Sequence, residues 1–172
     1  MTNENTKSMV QQMAGMVDEM HVAFEHNPSV DTALVLVKEE AVELLEAMSL
    51  DLTDDTIETL ENVLKEGCDL MYVYLGAKRA LAIRGLMFQP EVELEIIRLM
   101  GEVVSAFGDE KFFEAFKRVH ESNMSKLGED GKPIRREDGK VLKGPHYAKP
   151  VLTDLVLETY LKGARPANEI AA

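Results

Sequence analysis

The chain has 172 residues, enough for one hydrophobic core, and it carries 31 acidic against 19 basic side chains. A net charge of −12 argues against a general nucleic-acid-binding protein, because phosphates bind to basic surfaces. The single cysteine, Cys68, excludes an intrachain disulfide and the cysteine spacing of zinc fingers, and its apolar neighbours favour a core residue over a nucleophile.

The sequence shows no sign of a membrane span or a secretory signal. Residues 1–7 have no apolar run behind a basic start, and no run in the chain approaches the roughly 18 apolar residues that a span needs. We therefore expect a cytoplasmic protein with no membrane partner. We also expect one domain over residues 1–172, with its core at about 4–163 and a flexible tail at 164–172.

Apolar residues at helical spacing predict an all-α fold, a bundle of about five to six helices. Asn27-Pro28 separates the first two helices, Arg84-Gly85 ends the third, and Pro90 suits the first turn of the fourth. Thr and Asp side chains at 51–55 could cap the third helix. The predicted helices cover residues 4–26, 30–49, 55–84, 90–107, 110–124 and 151–161.

Residues 126–150, called the cationic loop below, differ from the rest of the chain. They contain four glycines, three prolines and two Asp-Gly-Lys triplets, and they have no helical periodicity, so an ordered loop or a short hairpin is expected. Glycines let backbone N–H groups approach a ligand, and six cations suit a polyphosphate, although a charged hairpin with Asp-Gly turns is the alternative. These six cations lie within residues 126–143 and are Lys126, Lys132, Arg135, Arg136, Lys140 and Lys143.

Two acidic motifs lie in the second and third helices, with 22 residues between them. The first has Glu39, Glu40 and Glu43, and the second has Glu66 and Asp69. Residues three apart lie on one face of an α-helix, so the motifs meet if the two helices pack antiparallel. Clustered carboxylates repel one another unless cations lie between them, and hard oxygen ligands select Mg²⁺ or Mn²⁺.

A solvated helix face is the alternative interpretation of the first motif. The expected apolar stripe of that helix leaves Glu39 and Glu43 pointing largely away from it; the stripe comprises Leu34, Val37, Ala41, Leu44, Leu45 and Met48. The second motif favours metal instead, because Asp69 is the only charged residue from Gly67 to Leu75. A carboxylate in a buried helix needs a cation or a metal beside it.

Charge is segregated along the chain. Residues 1–110 carry 7 basic and 22 acidic side chains, whereas residues 111–149 carry 10 basic and 6 acidic ones. This distribution is expected if one part of the protein holds a metal and the other holds the anion that the metal also contacts.

The motif Glu-Glu-x-x-Glu followed by Glu-x-x-Asp on paired helices resembles the all-α nucleoside triphosphate pyrophosphatase superfamily. This superfamily includes MazG proteins, dimeric dUTPases and phosphoribosyl-ATP pyrophosphohydrolase. Residues 119–126 and 138–143, with Tyr147, further resemble its MazG-like branch. The resemblance covers about residues 15–150.

The resemblance implies roles for particular residues. Two or three Mg²⁺ ions, or Mn²⁺ in their place, would be bound by Glu39, Glu40, Glu43, Glu66 and Asp69, and either Glu39 or Glu40 would activate water. Substrate would be bound by Asn123, Lys126, Lys140, Lys143 and Tyr147 on the phosphate side and by His21 on the nucleobase side. It also implies a homo-oligomer, either a dimer or a dimer of dimers.

The expected function is Mg²⁺-dependent hydrolysis of a nucleoside triphosphate, preferably a deoxynucleotide, to the monophosphate and pyrophosphate. A role in control of the deoxynucleotide pool would follow. Two alternatives are a non-catalytic nucleotide-sensing module and a phosphoribosyl-ATP pyrophosphohydrolase. The cationic loop after Asn123 fits the second alternative less well.

Overall fold

The structure is a computed structural model that describes residues 3–51, 56–137 and 141–163, with side chains for 9–50, 56–137 and 141–162. Within these ranges it contains six α-helices and no strand, which confirms the predicted all-α bundle. The helices are α1 (Asn3–Ala23), α2 (Val30–Asp51), α3 (Ile57–Ala82), α4 (Pro90–Phe107), α5 (Asp109–Met124) and α6 (Thr153–Gly163).

Helix α3 is the centre of the bundle and packs against each of the other five helices. Its most extensive partner is α2, and the two run antiparallel, as the motif argument required. Buried side chains from all six helices form one apolar core. Leu64 and Leu70 of α3, Leu44 of α2 and Phe116 of α5 are completely excluded from solvent.

The helix ends differ from their predicted positions by a few residues, for local reasons. Helix α1 ends at Ala23 because Glu25 adopts a positive φ of 48° before Pro28. Helix α3 begins at Ile57, where Thr56 accepts a hydrogen bond from the Thr59 N–H and the Thr59 side chain accepts one from the Thr56 N–H. This reciprocal pair is a capping box. The other predicted capping residues, 52–55, lie outside the described residues.

The end of α3 is a Schellman turn centred on Gly85. The Leu86 N–H donates to the Leu81 carbonyl and the Gly85 N–H donates to the Ala82 carbonyl. Gly85 has a φ of 68°, a conformation that glycine adopts without steric cost. The helix therefore ends before residue 84, the predicted limit.

Two glycines of α3 lie where neighbouring helices approach closely. A Cβ on Gly67 would stand 2.8 Å from a methyl carbon of Val103 in α4, and one on Gly76 would stand 3.1 Å from Nε2 of His21 in α1. These two positions let α1 and α4 pack closely against the central helix.

The cationic loop is ordered in its described parts, as predicted. It has two isolated antiparallel bridges, Leu127 with Pro133 and Arg135 with Val141. Gly144 packs so closely on the preceding turn that a Cβ there would lie 2.3 Å from the Leu127 carbonyl oxygen. The Ala148 N–H donates to the Ser125 hydroxyl, which ties the end of the loop to the end of α5.

Helix α6 follows the loop and is anchored to α5. Arg118 donates to the Val151 carbonyl and to both carboxylate oxygens of Asp154, and the helix starts at Thr153, two residues later than predicted. None of the helices in the described ranges has the length and apolarity needed to cross a bilayer. The predicted flexible tail, 164–172, lies outside the described residues.

Candidate metal and nucleotide site

The two acidic motifs meet across the antiparallel pair α2 and α3. One carboxylate oxygen each from Glu40, Glu43 and Glu66 lies within 4.8 Å of the others. Asp69, one turn beyond Glu66, lies close enough to raise the pKa of Glu40 by its charge. We call Glu40, Glu43, Glu66 and Asp69 the acidic cluster. It is the geometry predicted from the helical spacing.

Glu66 is the most enclosed member of the acidic cluster, with only 7% of its surface exposed. Its Oε1 accepts a hydrogen bond from Lys65 Nζ at 2.8 Å, but its buried Oε2 has no hydrogen-bond partner. A buried carboxylate oxygen without a donor is unfavourable by about 1–3 kcal/mol or more. Burial raises the pKa of Glu66, although the hydrogen bond and charge of Lys65 partly offset this.

Lys65 is the cation of the acidic cluster. Its Nζ lies 2.7 Å from Asp69 Oδ2 and 2.8 Å from Glu66 Oε1. Burial lowers the pKa of Lys65, but the charges and hydrogen bonds of Asp69 and Glu66 outweigh burial and raise it overall. Within the described part of the chain, one ammonium therefore balances a group of four carboxyls.

Glu40 shows how much negative charge remains. Its pKa is raised to about 7, first by burial and then by the charges of Asp69, Glu43 and Glu66, while Lys65 acts in the opposite direction. The cluster thus lacks positive charge, and one of its buried carboxylate oxygens, Glu66 Oε2, accepts no hydrogen bond. A divalent cation would neutralise the carboxylates and coordinate that oxygen, so the donor set fits Mg²⁺ or Mn²⁺.

The apolar stripe of α2 differs from the expected one, and the difference explains the position of Glu40. The buried residues of α2 are Ala33, Val37, Leu44 and Ala47, whereas Leu34 and Leu45 are exposed. Glu40 falls in line with this stripe, so it faces α3. Glu39 is exposed and is not one of the three grouped carboxylates, and its role as a ligand stays a prediction.

His21 is buried beside a small cavity of about 70 Å³ between α1, α2 and α3. The wall of this cavity includes Leu36 of α2 and Val73 of α3, which lie one helical turn from Glu40 and Asp69 respectively. The wall of this cavity therefore comes within one helical turn of the acidic cluster on both α2 and α3.

The electrostatic surroundings of His21 keep it neutral. Burial lowers its pKa to about 4, and the neighbouring His26 and Arg79 add to the effect, while Asp18 opposes it. The guanidinium of Arg79 lies 3.4 Å from Nδ1 of His21, so Nδ1 acts as acceptor and Nε2 carries the proton. His21 thus offers an N–H donor near Gly76.

Asn123 and Lys126 lie at the end of α5, where Lys126 Nζ donates to Asn123 Oδ1 at 2.7 Å. Both line a second cavity, of about 180 Å³, together with Arg135 of the cationic loop. Met20 and His26 border this cavity and the one at His21, so the two adjoin. The structure therefore places Asn123 and Lys126 next to the cavity at His21, the residue predicted to contact the nucleobase.

The remaining loop residues are placed less fully. Lys143 Nζ lies 4.5 Å from the centre of the Tyr147 ring, a cation–π contact, and both side chains belong to the cationic loop. Lys140 lies outside the described residues. The roles of Lys140, Lys143 and Tyr147 stay predictions.

Three features of the site were not anticipated. The Tyr72 hydroxyl is hydrogen-bonded to His120 Nδ1 at 2.8 Å, and Arg135 Nη2 donates to the Phe24 carbonyl at 2.6 Å. Lys65 is the third. Tyr72 lies three residues after Asp69, a spacing that could have revealed it, whereas nothing in the sequence distinguishes Arg135 from the other loop cations.

Comparison with known protein families gives one match, to the phosphoribosyl-ATP pyrophosphohydrolase family over residues 7–87. The matched segment runs from α1 to the loop after α3 and includes both acidic motifs. Comparisons with curated proteins and with solved structures gave no match. The family match and the helical architecture together support a pyrophosphohydrolase. The family match places this part of the chain in the MazG-like, all-α nucleoside triphosphate pyrophosphatase superfamily.

Proposed function

We propose that the protein is a Mg²⁺-dependent pyrophosphohydrolase that converts a nucleoside triphosphate, preferably a deoxynucleotide, to the monophosphate and pyrophosphate. The observation that carries the proposal is the acidic cluster, in which three carboxylates converge and the buried Oε2 of Glu66 lacks a partner. Control of the deoxynucleotide pool would be its role, in the cytoplasm and as a single-domain protein.

The carboxylates of Glu40, Glu43, Glu66 and Asp69 would hold the metal, with Glu39 at the exposed edge. Bound Mg²⁺ or Mn²⁺, in two or three ions, would neutralise phosphate charge and lower the pKa of a coordinated water. Either Glu39 or Glu40, whichever does not take a full ligand position, would accept the proton of that water.

The cavity at His21 would bind the nucleobase. Neutral His21 offers an N–H to the base beside that cavity. Lys126, Lys140 and Lys143 would stabilise the negative charge of the departing pyrophosphate, with Asn123 orienting Lys126 through their hydrogen bond.

A pyrophosphate-release assay with the common NTPs and dNTPs, in Mg²⁺ and in Mn²⁺, tests the proposal. We expect turnover of one or a few dNTPs, abolished by EDTA and by Glu66→Gln. Nucleotide binding without release of pyrophosphate from any substrate would contradict the proposal and favour the sensing module.

A phosphoribosyl-ATP pyrophosphohydrolase is the second candidate, and the family match over residues 7–87 favours it. The chemistry is the same, so the acidic cluster serves both candidates. Adding phosphoribosyl-ATP to the same assay separates them, because a kcat/KM for it far above that of every dNTP would assign the second function.

We propose that the protein is a homo-oligomer, at least a dimer. An open apolar groove of about 780 Å³ lies between α2 and α4, bordered by Leu34, Met87 and Val92. Its rim carries Lys38, Glu91 and Glu95, so a two-fold axis would pair the lysine of one copy with the acids of the other. Light scattering checks this: Val92→Asp should shift the dimer towards monomer, and a monomeric wild type with full activity would disprove it.

A further inference from the structure

Lys65 stands between the acidic cluster and a second groove. That groove, of about 510 Å³, lies between the end of α2, the start of α3 and Pro150, and Lys65 is part of its lining. The side chain of Lys65 is 41% exposed, yet its ammonium points into the cluster, where it contacts Glu66 and Asp69. One lysine thus has access to two environments.

The contacts of Lys65 occupy one oxygen atom of each of two predicted metal ligands. Nζ lies 2.8 Å from Glu66 Oε1 and 2.7 Å from Asp69 Oδ2, whereas Glu66 Oε2 has no hydrogen-bond partner. Coordination of a metal through both oxygens of Glu66 or of Asp69 therefore requires the ammonium to leave.

A second partner is available to Lys65 on its own helix. Glu61 precedes Lys65 by four residues and Asp69 follows it by four, so both lie within reach on the same face. Glu61 lines the second groove, where its Oε1 accepts a hydrogen bond from Thr153. A rotation of the Lys65 side chain would exchange Asp69 for Glu61 without moving the backbone.

We propose that Lys65 is a built-in counter-ion of the acidic cluster, which competes with divalent cations for Glu66 and Asp69 and turns towards Glu61 when they bind. The inference rests on the proposed function, since it concerns the same metal site. Lys65 is a positioning residue in this scheme: it keeps the carboxylates together before metal arrives, and it lowers the apparent affinity for metal by the fraction of time it occupies them.

Calorimetric titration of the full chain with Mn²⁺ tests the proposal directly. Lys65→Met should bind Mn²⁺ with a dissociation constant about five- to tenfold lower than the wild type, as expected for loss of one partly exposed ion pair. In EDTA the same variant should have a lower melting temperature, because the carboxylates lose their cation, and Mn²⁺ should raise that temperature by more than in the wild type.

Lys78→Met is the matched control. Lys78 lies on the same helix and pairs with Glu93 of α4, about 20 Å from Lys65 at 1.5 Å per residue. It should leave the dissociation constant for Mn²⁺ unchanged. If Lys65→Met does not fold, Lys65→Gln removes the charge with a smaller change of polarity and should give the same tighter binding.

A double-mutant cycle separates competition from simple charge repulsion. Glu61→Gln should weaken Mn²⁺ binding in the wild type, because Lys65 loses its second partner, and should have a smaller effect in the Lys65→Met background. Equal effects in both backgrounds, or equal Mn²⁺ affinity of wild type and Lys65→Met, overturn the inference alone. Absence of Mn²⁺ binding by both proteins overturns the proposed function as well.

Discussion

The acidic cluster and the cationic loop are the two charged regions of the candidate site, and they are built in different ways. The cluster lies on two long antiparallel helices, where the position of each carboxylate follows from its place in a helical turn. The loop has two isolated bridges, and contacts with distant residues such as Phe24 hold it in place. The comparison teaches that helical geometry sets the acidic cluster locally, whereas the conformation of the cationic loop depends on long-range packing.

Among the variants that test this difference, Glu66→Gln should have the largest effect on activity. Replacing an enclosed carboxylate of the acidic cluster by an amide should lower kcat/KM about 10³-fold, or about 4 kcal/mol, while circular dichroism shows unchanged helicity. Glu46→Gln, an exposed position of α2 outside the cluster, is the control and should keep full activity. Near-normal turnover by Glu66→Gln would refute the assignment.

Gly144→Ala tests whether the loop depends on close packing. The added Cβ would collide with the Leu127 carbonyl oxygen, so we expect the loop to lose about 3 kcal/mol of local stability. Hydrogen exchange at the Leu142 and Ala148 amides measures it. Gly101→Ala, where a Cβ would meet nothing within 4 Å, is the control. Unchanged protection of both amides in Gly144→Ala would show that the loop adapts.

Lys126→Ala should have an intermediate effect on activity. Loss of the ammonium that is hydrogen-bonded to Asn123 should reduce kcat/KM about 30-fold, or about 2 kcal/mol, because the pyrophosphate charge is less well stabilised. Lys132→Ala is the control, since Lys132 lies at an exposed position of the same loop, and it should change kcat/KM by less than about threefold. Equal losses in the two variants would mean that only the total charge of the loop matters.

The smallest effect concerns the stability of the metal-free protein against pH. The pKa of Glu40 in the folded state, about 7, lies above its ordinary value of 4.5, so the folded state binds this proton more tightly. Its contribution to stability is therefore complete below about pH 4.5 and lost as the pH rises through 7. In urea unfolding with EDTA present, the free energy of unfolding should fall by about 1 kcal/mol between about pH 5 and pH 8. The fall is this small because Glu40 is partly exposed and solvent screens its charge.

One variant and the addition of Mg²⁺ check the pH effect. The raised pKa of Glu66 acts in the same direction, so Glu40→Gln should flatten the slope without abolishing it. Saturating Mg²⁺ should remove the slope by neutralising the carboxylates. Stability that rises with pH in EDTA would contradict the sign of the effect.

The sequence was sufficient for the fold class and for the meeting of the acidic motifs, because both follow from helical periodicity. The sequence also indicated that Glu40 lies on the buried face of α2, although the apolar stripe that we expected did not include it. Residues 33, 37, 40, 44 and 47 share one helix face, and residue 40 is the only charged one among them. An acid within a buried stripe is a stronger indication of a site than an acid beside it.

The remaining parts of the site could not be predicted from local pattern. Arg135 contacts Phe24 across 111 positions of the chain, and the two cavities depend on how α1, α5 and the loop pack together. These features arise from tertiary contacts, which the sequence spacing alone does not specify. Lys65 differs, because its i,i+4 spacing from Asp69 permits the ion pair and only the rotamer of its side chain decides whether the pair forms.

The glycines at 67 and 76 make the central helix a compromise between its own stability and the closeness of its neighbours. Each glycine weakens an isolated helix by roughly 1 kcal/mol relative to alanine. In return, the absence of a Cβ at Gly67 lets α4 approach α3, and its absence at Gly76 lets α1 approach. Efforts to make the protein more heat-resistant by increasing helix propensity should therefore leave both positions alone. The Cβ of an alanine at position 76 would lie 3.1 Å from Nε2 of His21, so a gain in helix propensity there would be accompanied by distortion of the cavity beside His21.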